Sequence, residues 1–220
     1  MSAAAAMQLL AYLALLLALA WPLARMIDAV MAGRFALGRR LEGPLFRLCG
    51  IRAGHESGWL RYAIGLLVFN GLGVLAVYGL QRLQGALPLN PQGMAAVTPD
   101  SAFNTAISFV TNTNWQGYGG ETTMSYLTQM LGLTVQNFVS AAAGMATLAA
   151  LIRGFARKSS DTIGNFWVDL TRSTLYVLLP LSLVLALVLV SQGVVQTFNP
   201  YAQAPLVEPT TETDPMISPA

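Results

Sequence analysis

A polar stretch with three glycines, residues 111–121, carries the groups best suited to hold an ion. It reads Thr-Asn-Thr-Asn-Trp-Gln-Gly-Tyr-Gly-Gly-Glu and lies between two apolar parts of the chain. The carbonyl oxygens of such a segment can replace the water around a cation. Irregular backbone is tolerated at membrane depth only where it is buried in protein or lines a water-filled path. The stretch therefore predicts a cation-binding pore loop, and the alternative is a loop that lies above the bilayer.

A short helix is predicted directly before this stretch. The segment ahead of it is broken up by prolines, at Pro88, Pro91 and Pro99. Asp100 is placed to cap a helix, and residues 101–110 have helical character but are too few to cross a bilayer. The negative end of this helix would point toward the polar stretch, which favours a cation there. We predict that residues 101–121 form a pore helix and filter loop.

Long apolar segments flank this loop on both sides. Hydrophobic residues make up 55% of the chain and charged residues 10%, against roughly 25% charged in soluble domains. A membrane-spanning helix needs about 20 apolar residues. We predict an all-α membrane protein with transmembrane helices at residues 7–23, 62–83, 123–151 and 174–195. The alternative, buried helices of a soluble protein, would leave too little polar surface.

Basic residues set the predicted orientation. All but one of the twelve lie in two loops between spans, at Arg25, Arg34, Arg39, Arg40, Arg47, Arg52 and Arg61 and at Arg153, Arg157, Lys158 and Arg172. The positive-inside rule makes both loops cytoplasmic. We therefore predict an extracytoplasmic N-terminus and an extracytoplasmic tail at residues 196–220. No positive charge precedes the first apolar segment, which argues against a cleaved signal peptide.

Several function classes are disfavoured by the sequence. The chain has no Gly-x-x-x-x-Gly-Lys-Ser/Thr run and no Asp-Lys-Thr-Gly sequence, so we predict no catalytic residues for ATP hydrolysis. Cys49 and His55 are single and make a Cys/His metal site improbable. The net charge of +2 gives no reason to expect nucleic-acid binding. Gln129, Gln136 and Asn137 are expected either to hydrogen-bond between helices or to face an ion path.

Several longer runs of residues carry a family resemblance. They are Phe-Val-Thr-Asn-Thr-Asn-Trp-Gln at 109–116, Gly-Glu-Thr-Thr at 120–123 and Gly-Leu-Thr-Val-Gln-Asn-Phe at 132–138, with further matches at 88–91, 151–153, 164–165 and 167–170. Together they resemble the A subunit (KdpA) of the bacterial Kdp potassium-transporting ATPase. The resemblance implies the potassium transporter superfamily fold, in which four helix, pore-loop, helix repeats surround one selectivity filter.

The resemblance also assigns roles to particular residues. It implies a K⁺ filter formed by Asn112, Thr113, Asn114 and, at the outer rim, Gln116. Trp115 is expected to pack or to anchor the loop at the interface. Residues 7–23 would be an extra helix ahead of the first repeat. Because the other pore loops are not in this sequence, we expect an N-terminal fragment that supplies one quarter of a filter ring.

The function that the resemblance implies is K⁺ binding and translocation in an ATP-driven uptake pump of the bacterial inner membrane. ATP and Mg²⁺ would bind only a partner, the P-type ATPase catalytic subunit, and small accessory subunits would complete the complex within the lipid bilayer. Two alternatives remain open at this point. One is the pore subunit of a Trk-like potassium channel or transporter, and the other is a membrane assembly subunit that transports nothing.

Overall fold

The computed structural model describes residues 2–157, 160–195 and 197–201. Within those ranges every regular element is a helix, and Ser57 and Gly164 form an isolated backbone bridge. Helices with the length and composition to cross a membrane are Ala3–Met31, Trp59–Ala86, Thr128–Ala156 and Phe166–Ser191, here called the first to fourth spans. The predicted all-α membrane fold is confirmed. The predicted tail, residues 196–220, lies outside the described residues apart from 197–201.

The first span is helix α1, Ala3–Met31, and it stands largely apart from the others. The Ser2 hydroxyl caps its N-terminus by accepting the N–H of Ala5 at 3.2 Å. Val30 near the opposite end is its buried residue, and it packs against Tyr176 and Val177 of the fourth span. The leucines of α1 are exposed, as expected for a helix that faces lipid.

Helix α2, Ala36–Leu48, occupies the loop between the first two spans and was not predicted. Its Glu42 is buried and accepts hydrogen bonds from Arg172 Nε and Nη2 at 2.9 and 3.2 Å. The Tyr176 hydroxyl donates to the Gly38 carbonyl at 2.8 Å. These contacts fix α2 against the start of the fourth span. They join residues that are far apart in sequence, so the local pattern did not reveal the helix.

The second span is helix α3, Trp59–Leu83, continued by a 3₁₀ turn at Gln84–Ala86. Small residues let it approach its neighbours closely. A Cβ atom added at Gly65 would lie 3.1 Å from the Phe166 ring, and one added at Gly73 would lie 2.6 Å from Gln136 Oε1. A side chain at Gly65 would therefore press on the Phe166 ring, and one at Gly73 would displace the Gln136 amide.

Helix α4, Pro99–Val110, follows α3 and is described with the site below. A single helical turn, α5 at Gly120–Thr123, comes next, and Met124 after it is extended. The third span then begins at Thr128 as a π-helical segment, Thr128–Thr134, and continues as α6, Val135–Ala156. The sequence placed the start of this span at residue 123, but the break at Met124 separates α5 from the span.

The fourth span combines α7, Phe166–Arg172, a π-helical segment, Ser173–Leu178, and α8, Leu179–Ser191. The Asn165 side chain caps α7 by accepting the N–H groups of Trp167 and Val168. Asp169 is buried and forms a two-point ion pair with Arg153 at 2.5 and 2.8 Å. This pair joins the end of the third span to the start of the fourth.

Candidate ion-binding site

Helix α4 is held against the second span by small buried residues. Ala102 and Ala106 are completely buried and lie in one core cluster with Val77 of α3 and Leu133 of the third span. Alanines at these positions bring the two backbones close together. Phe109, near the end of α4, belongs to the same cluster. The position of the C-terminus of α4 is therefore fixed by packing.

The N-terminus of α4 differs from the sequence prediction in one respect. The helix begins at Pro99, and the capping position is Thr98. Proline suits the first helical position because its fixed φ is already helical and no N–H is lost from the ladder. Asp100 lies in the first turn, so the prediction that it caps the helix was wrong. Its negative charge still favours the positive end of the helix dipole.

Two buried glutamines at the end of the second span support α4 and the loop after it. Gln81 Nε2 donates to the carbonyls of Val77 and Ala102, each at 3.1 Å. The second contact ties α3 to the first turns of α4. Sequence reasoning missed both glutamines, because polar residues at a predicted span end are usual at a membrane interface.

Gln84 connects four separate backbone and side-chain groups through one buried amide. Its Nε2 donates to the carbonyls of Ala95 and Thr123 at 2.6 and 2.8 Å. Its Oε1 accepts the Ser125 N–H and the Thr128 hydroxyl, both at 3.1 Å. The side chain thus joins the segment before α4, the segment after the loop and the start of the third span. All the hydrogen-bonding capacity of the amide group is used, which favours one arrangement of these segments.

The segment after α4 folds back over the end of that helix. The Ser108 carbonyl accepts the backbone N–H groups of Thr113 and Asn114 at 2.9 and 3.2 Å. The Ser108 hydroxyl donates to the Trp115 carbonyl at 2.9 Å. Ser108 is completely buried, so these bonds are protected from water. One serine therefore fixes the path of the backbone from residue 113 to residue 115.

This path turns two carbonyl groups in a common direction. In a planar trans peptide the C=O points opposite to the N–H of the next residue. The N–H groups of Thr113 and Asn114 both point at the Ser108 oxygen, so the carbonyls of Asn112 and Thr113 both point away from α4. Neither oxygen accepts a hydrogen bond within the part of the chain that the structure describes.

The backbone conformation that makes this possible is left-handed at two asparagines. Asn112 and Asn114 have φ of 57° and 58°, and Thr113 between them does not have a positive φ. Asparagine is among the few residues other than glycine that adopt this region readily. When the sign of φ changes from one residue to the next, successive peptide groups lie side by side. The sequence therefore supplies asparagine where a β-branched residue would be strained.

Side-chain amides fix the loop against the third span. Asn114 Nδ2 donates to Asn112 Oδ1 at 3.1 Å and to Asn137 Oδ1 of α6 at 2.9 Å. The Ser140 hydroxyl contacts Asn112 Oδ1 at 3.4 Å. Of the two roles expected for the amides of the third span, Asn137 therefore has the hydrogen-bonding one. Its partner is a loop residue.

The predicted site residues are not all brought together. Asn112, Thr113 and Asn114 form one hydrogen-bonded turn, in which the Thr113 hydroxyl is 2.8 Å from the Thr111 hydroxyl. Gln116 is exposed and forms no side-chain hydrogen bond with these three among the described residues. A cavity of about 400 Å³ lies beside the loop and is lined by Gly117 and Tyr118 but by none of the four predicted residues. The K⁺ filter at Asn112, Thr113, Asn114 and Gln116 therefore stays a prediction.

A profile of one protein family covers most of this sequence. The family is KdpA, the potassium-transporting ATPase A subunit, and the match extends over residues 10–219. The chain belongs to the KdpA family. The candidate loop, α4 and the second to fourth spans lie inside the matched range, and so does the first span from residue 10 onward.

Curated relatives of the KdpA family agree with this assignment. A potassium-transporting ATPase potassium-binding subunit from Methylococcus capsulatus is 65% identical over 213 residues, which are 96% of this chain and 36% of the relative. Proteins with the same name from Chromobacterium violaceum and Dechloromonas aromatica are 63% and 60% identical, over 94% and 95% of this chain and 35% of each relative. The chain thus spans about a third of the length of these relatives.

Proposed function

We propose that this chain supplies one wall of a potassium-selective filter in an ATP-driven K⁺ uptake pump. The observation that carries the proposal is the parallel orientation of the Asn112 and Thr113 carbonyls at the negative end of α4. Membership of the KdpA family supports it, and so do the names of the relatives, which are potassium-binding subunits.

The turn suits a weakly hydrated monovalent cation. K⁺ sheds its water when carbonyl dipoles offer comparable solvation, and neutral carbonyls hold it loosely enough to let it leave. No group of three or more His, Cys, Asp or Glu side chains that could hold a multivalent metal occurs among the described residues. Asn112, Thr113 and Asn114 would contribute backbone oxygens, and Gln116 would stand at the outer rim. The remaining walls of the ring would come from other pore loops.

In this proposal ATP is hydrolysed by another subunit of the pump. ATP and Mg²⁺ would bind a P-type ATPase catalytic subunit, with small accessory subunits completing a Kdp-type complex. The complex would lie in the bacterial inner membrane, with the N-terminus of this chain and the rim of the loop on the extracytoplasmic side. The eleven basic residues in two loops support that orientation. α4 would then enter the membrane from outside without crossing it.

The test is K⁺ activation of ATP hydrolysis by a complete pump that contains these residues in a full-length subunit. Gln116→Arg places a fixed positive charge at the rim, where repulsion of a cation is about 1 kcal/mol at 4 Å in water and rises as the dielectric falls. We expect the half-saturating K⁺ concentration to rise several-fold. Gln192→Arg, with the same charge change at the exposed end of α8, is the control. An equal rise in both variants would remove the loop from the ion path.

A further inference from the structure

A basic pocket lies at the opposite end of the spans from the ion loop. It is a cavity of about 730 Å³ whose lining includes Arg52, His55, Arg61, Asn165 and Trp167, here called the basic pocket. Its walls come from residues 49–55, from Arg61 in the first turn of α3, and from Asn165 and Trp167 at the start of α7. The proposed filter does not use any of these residues.

Hydrogen bonds give the basic pocket a defined shape. Arg61 Nη1 is 3.3 Å from His55 Nε2, so the guanidinium is held against the imidazole ring. Asn165 Nδ2 donates to the His55 carbonyl at 3.1 Å, while its Oδ1 caps α7. Asn165 therefore joins the two walls. The side chain of Arg52 is exposed at the same opening.

The positive charge of the basic pocket is not neutralised by acidic side chains that the structure describes. The four ion pairs among those residues engage other arginines, namely Arg34, Arg153, Arg157 and Arg172. Glu56 follows His55 directly but faces Arg157 and Thr162. The hydrogen bond from Arg157 lowers the pKa of Glu56 to about 2, so the negative charge of Glu56 is paired with Arg157 and not with the basic pocket. Two guanidinium groups are left facing one cavity.

The surroundings of the basic pocket are apolar, which identifies the kind of anion. The second span begins at Trp59 and the fourth at Phe166, so the pocket lies at the level where spans enter the membrane. Trp59 and Leu60 are 70% and 57% exposed, and Leu48 at the end of α2 is 86% exposed. Tryptophan is enriched at the level of lipid head groups. A phosphate bound here would have exposed hydrocarbon beside it.

We propose that the basic pocket binds the phosphate of an anionic phospholipid, whose acyl chains lie against the exposed residues at the start of α3. Guanidinium groups pair with phosphate oxygens through two parallel hydrogen bonds. The cation of a zwitterionic head group would repel the guanidinium groups and weaken this pairing, whereas an anionic lipid carries no such cation. Free phosphate shares the anionic chemistry but gains nothing from the apolar surroundings. The lipid is therefore the occupant that fits both parts of the site.

Native mass spectrometry of the purified chain in detergent tests this proposal. The chain is titrated with phosphatidylglycerol and, separately, with phosphatidylcholine of the same acyl chains, and the fraction carrying one lipid is measured. We expect phosphatidylglycerol to bind about tenfold more tightly, as two basic residues near a membrane surface allow. Millimolar inorganic phosphate should not displace it. Equal binding of the two lipids, or displacement by phosphate, would overturn the lipid assignment.

Variants locate the binding on the chain. Arg52→Gln with Arg61→Gln should lower phosphatidylglycerol affinity about tenfold, and Arg52→Lys with Arg61→Lys should restore most of it. The matched control is Arg25→Gln with Arg47→Gln, which removes the same charge from positions outside the basic pocket. If the control pair lost affinity equally, general attraction to a basic surface would explain the binding and the pocket would not. Circular dichroism checks that each variant retains its helices, and no step involves K⁺.

Discussion

The backbone N–H of Thr113 donates to the Ser108 carbonyl at 2.9 Å, across the turn that ends α4. Helix α4 and the candidate filter are therefore one hydrogen-bonded unit. A displacement of the helix end would move the carbonyls that face the proposed ion. The consequences can be tested in variants of the side chains that hold this turn in place.

Ser108→Ala should weaken K⁺ activation of the complete pump about two- to tenfold. The substitution removes the hydroxyl that donates to the Trp115 carbonyl, a bond of about 1 kcal/mol net, but leaves the backbone bonds in place. The half-saturating K⁺ concentration for ATP hydrolysis is the readout. Ser182→Ala is the control, because that hydroxyl also bonds a carbonyl but in exposed α8. Unchanged K⁺ dependence in Ser108→Ala would show that this bond does not shape the filter.

Asn114 and Asn137 should be energetically coupled in K⁺ binding. Their amides are 2.9 Å apart and join the loop to α6. A double-mutant cycle with Asn114→Ala and Asn137→Ala should give a coupling free energy of about 0.5–1.5 kcal/mol, measured from K⁺ binding to the complete pump. The same cycle with Asn114→Ala and Thr147→Ala, whose hydroxyl bonds within α6, should be additive. Additive effects at Asn114 and Asn137 would contradict the contact.

Gln84→Leu should lower the free energy of unfolding of the chain much more than the same substitution at an exposed glutamine. It leaves the Ser125 N–H, the Thr128 hydroxyl and two carbonyls without their buried partner. Unsatisfied buried groups cost about 1–3 kcal/mol each, less whatever water can replace. Unfolding of purified chain by denaturant in micelles measures the loss. Gln8→Leu, at an exposed position of α1, should change the stability little, and a similar loss in both would point to a general effect of removing glutamine.

Cys49 should be protected from membrane-impermeant thiol reagents applied to intact cells. The cysteine is exposed, so protection would reflect its side of the membrane and not burial. A cysteine introduced by Ser2→Cys should be labelled from outside, and Cys49 should react once the cells are permeabilised. Labelling of Cys49 in intact cells would reverse the proposed orientation.

The Glu56–Arg157 pair should contribute stability that disappears in acid. The hydrogen bond from Arg157 lowers the pKa of Glu56 from 4.5 to about 2. A lowered folded-state pKa means that the contribution is fully present above about pH 4.5 and is lost as the pH falls toward 2. The effect should be small because both side chains are more than a third exposed. Denaturant midpoints from pH 6 to pH 2 for wild type and Glu56→Gln should converge at the acid end, and parallel curves would speak against the pair.

Charge and hydropathy were sufficient to predict the four spans and the all-α class, because both depend on what each residue does in lipid. Interactions between residues far apart in the sequence could not be predicted from charge and hydropathy. Glu42 stabilises α2 only because Arg172 lies opposite it, 130 positions later. Gln84 is a polar residue at a span end until the chain folds and places Thr123 and Ser125 beside it.

The candidate loop shows the same division. Its polar residues and its position after a short helix predicted a cation-binding loop. The family resemblance then indicated Asn112, Thr113 and Asn114 as the filter residues. The direction of the Asn112 and Thr113 carbonyls depends on the Ser108 backbone carbonyl, which any residue type would supply, so the sequence pattern did not indicate it. The predicted cap at Asp100 failed because Pro99 is already inside the helix, which moves the capping position back to Thr98.

Helix α1 has a mechanical property that follows from the packing of one of its ends against the fourth span. Its buried residue, Val30, lies at one end, and the Arg172 guanidinium donates to the Met31 carbonyl at 3.2 Å beside it. From Ala3 to Met26 the helix extends about 36 Å beyond that attachment, at about 1.5 Å per residue. A rotation of about 10° at the attached end would carry the free end sideways by about 6 Å over that length. We therefore expect the inclination of α1 to respond to bilayer thickness and to neighbouring molecules.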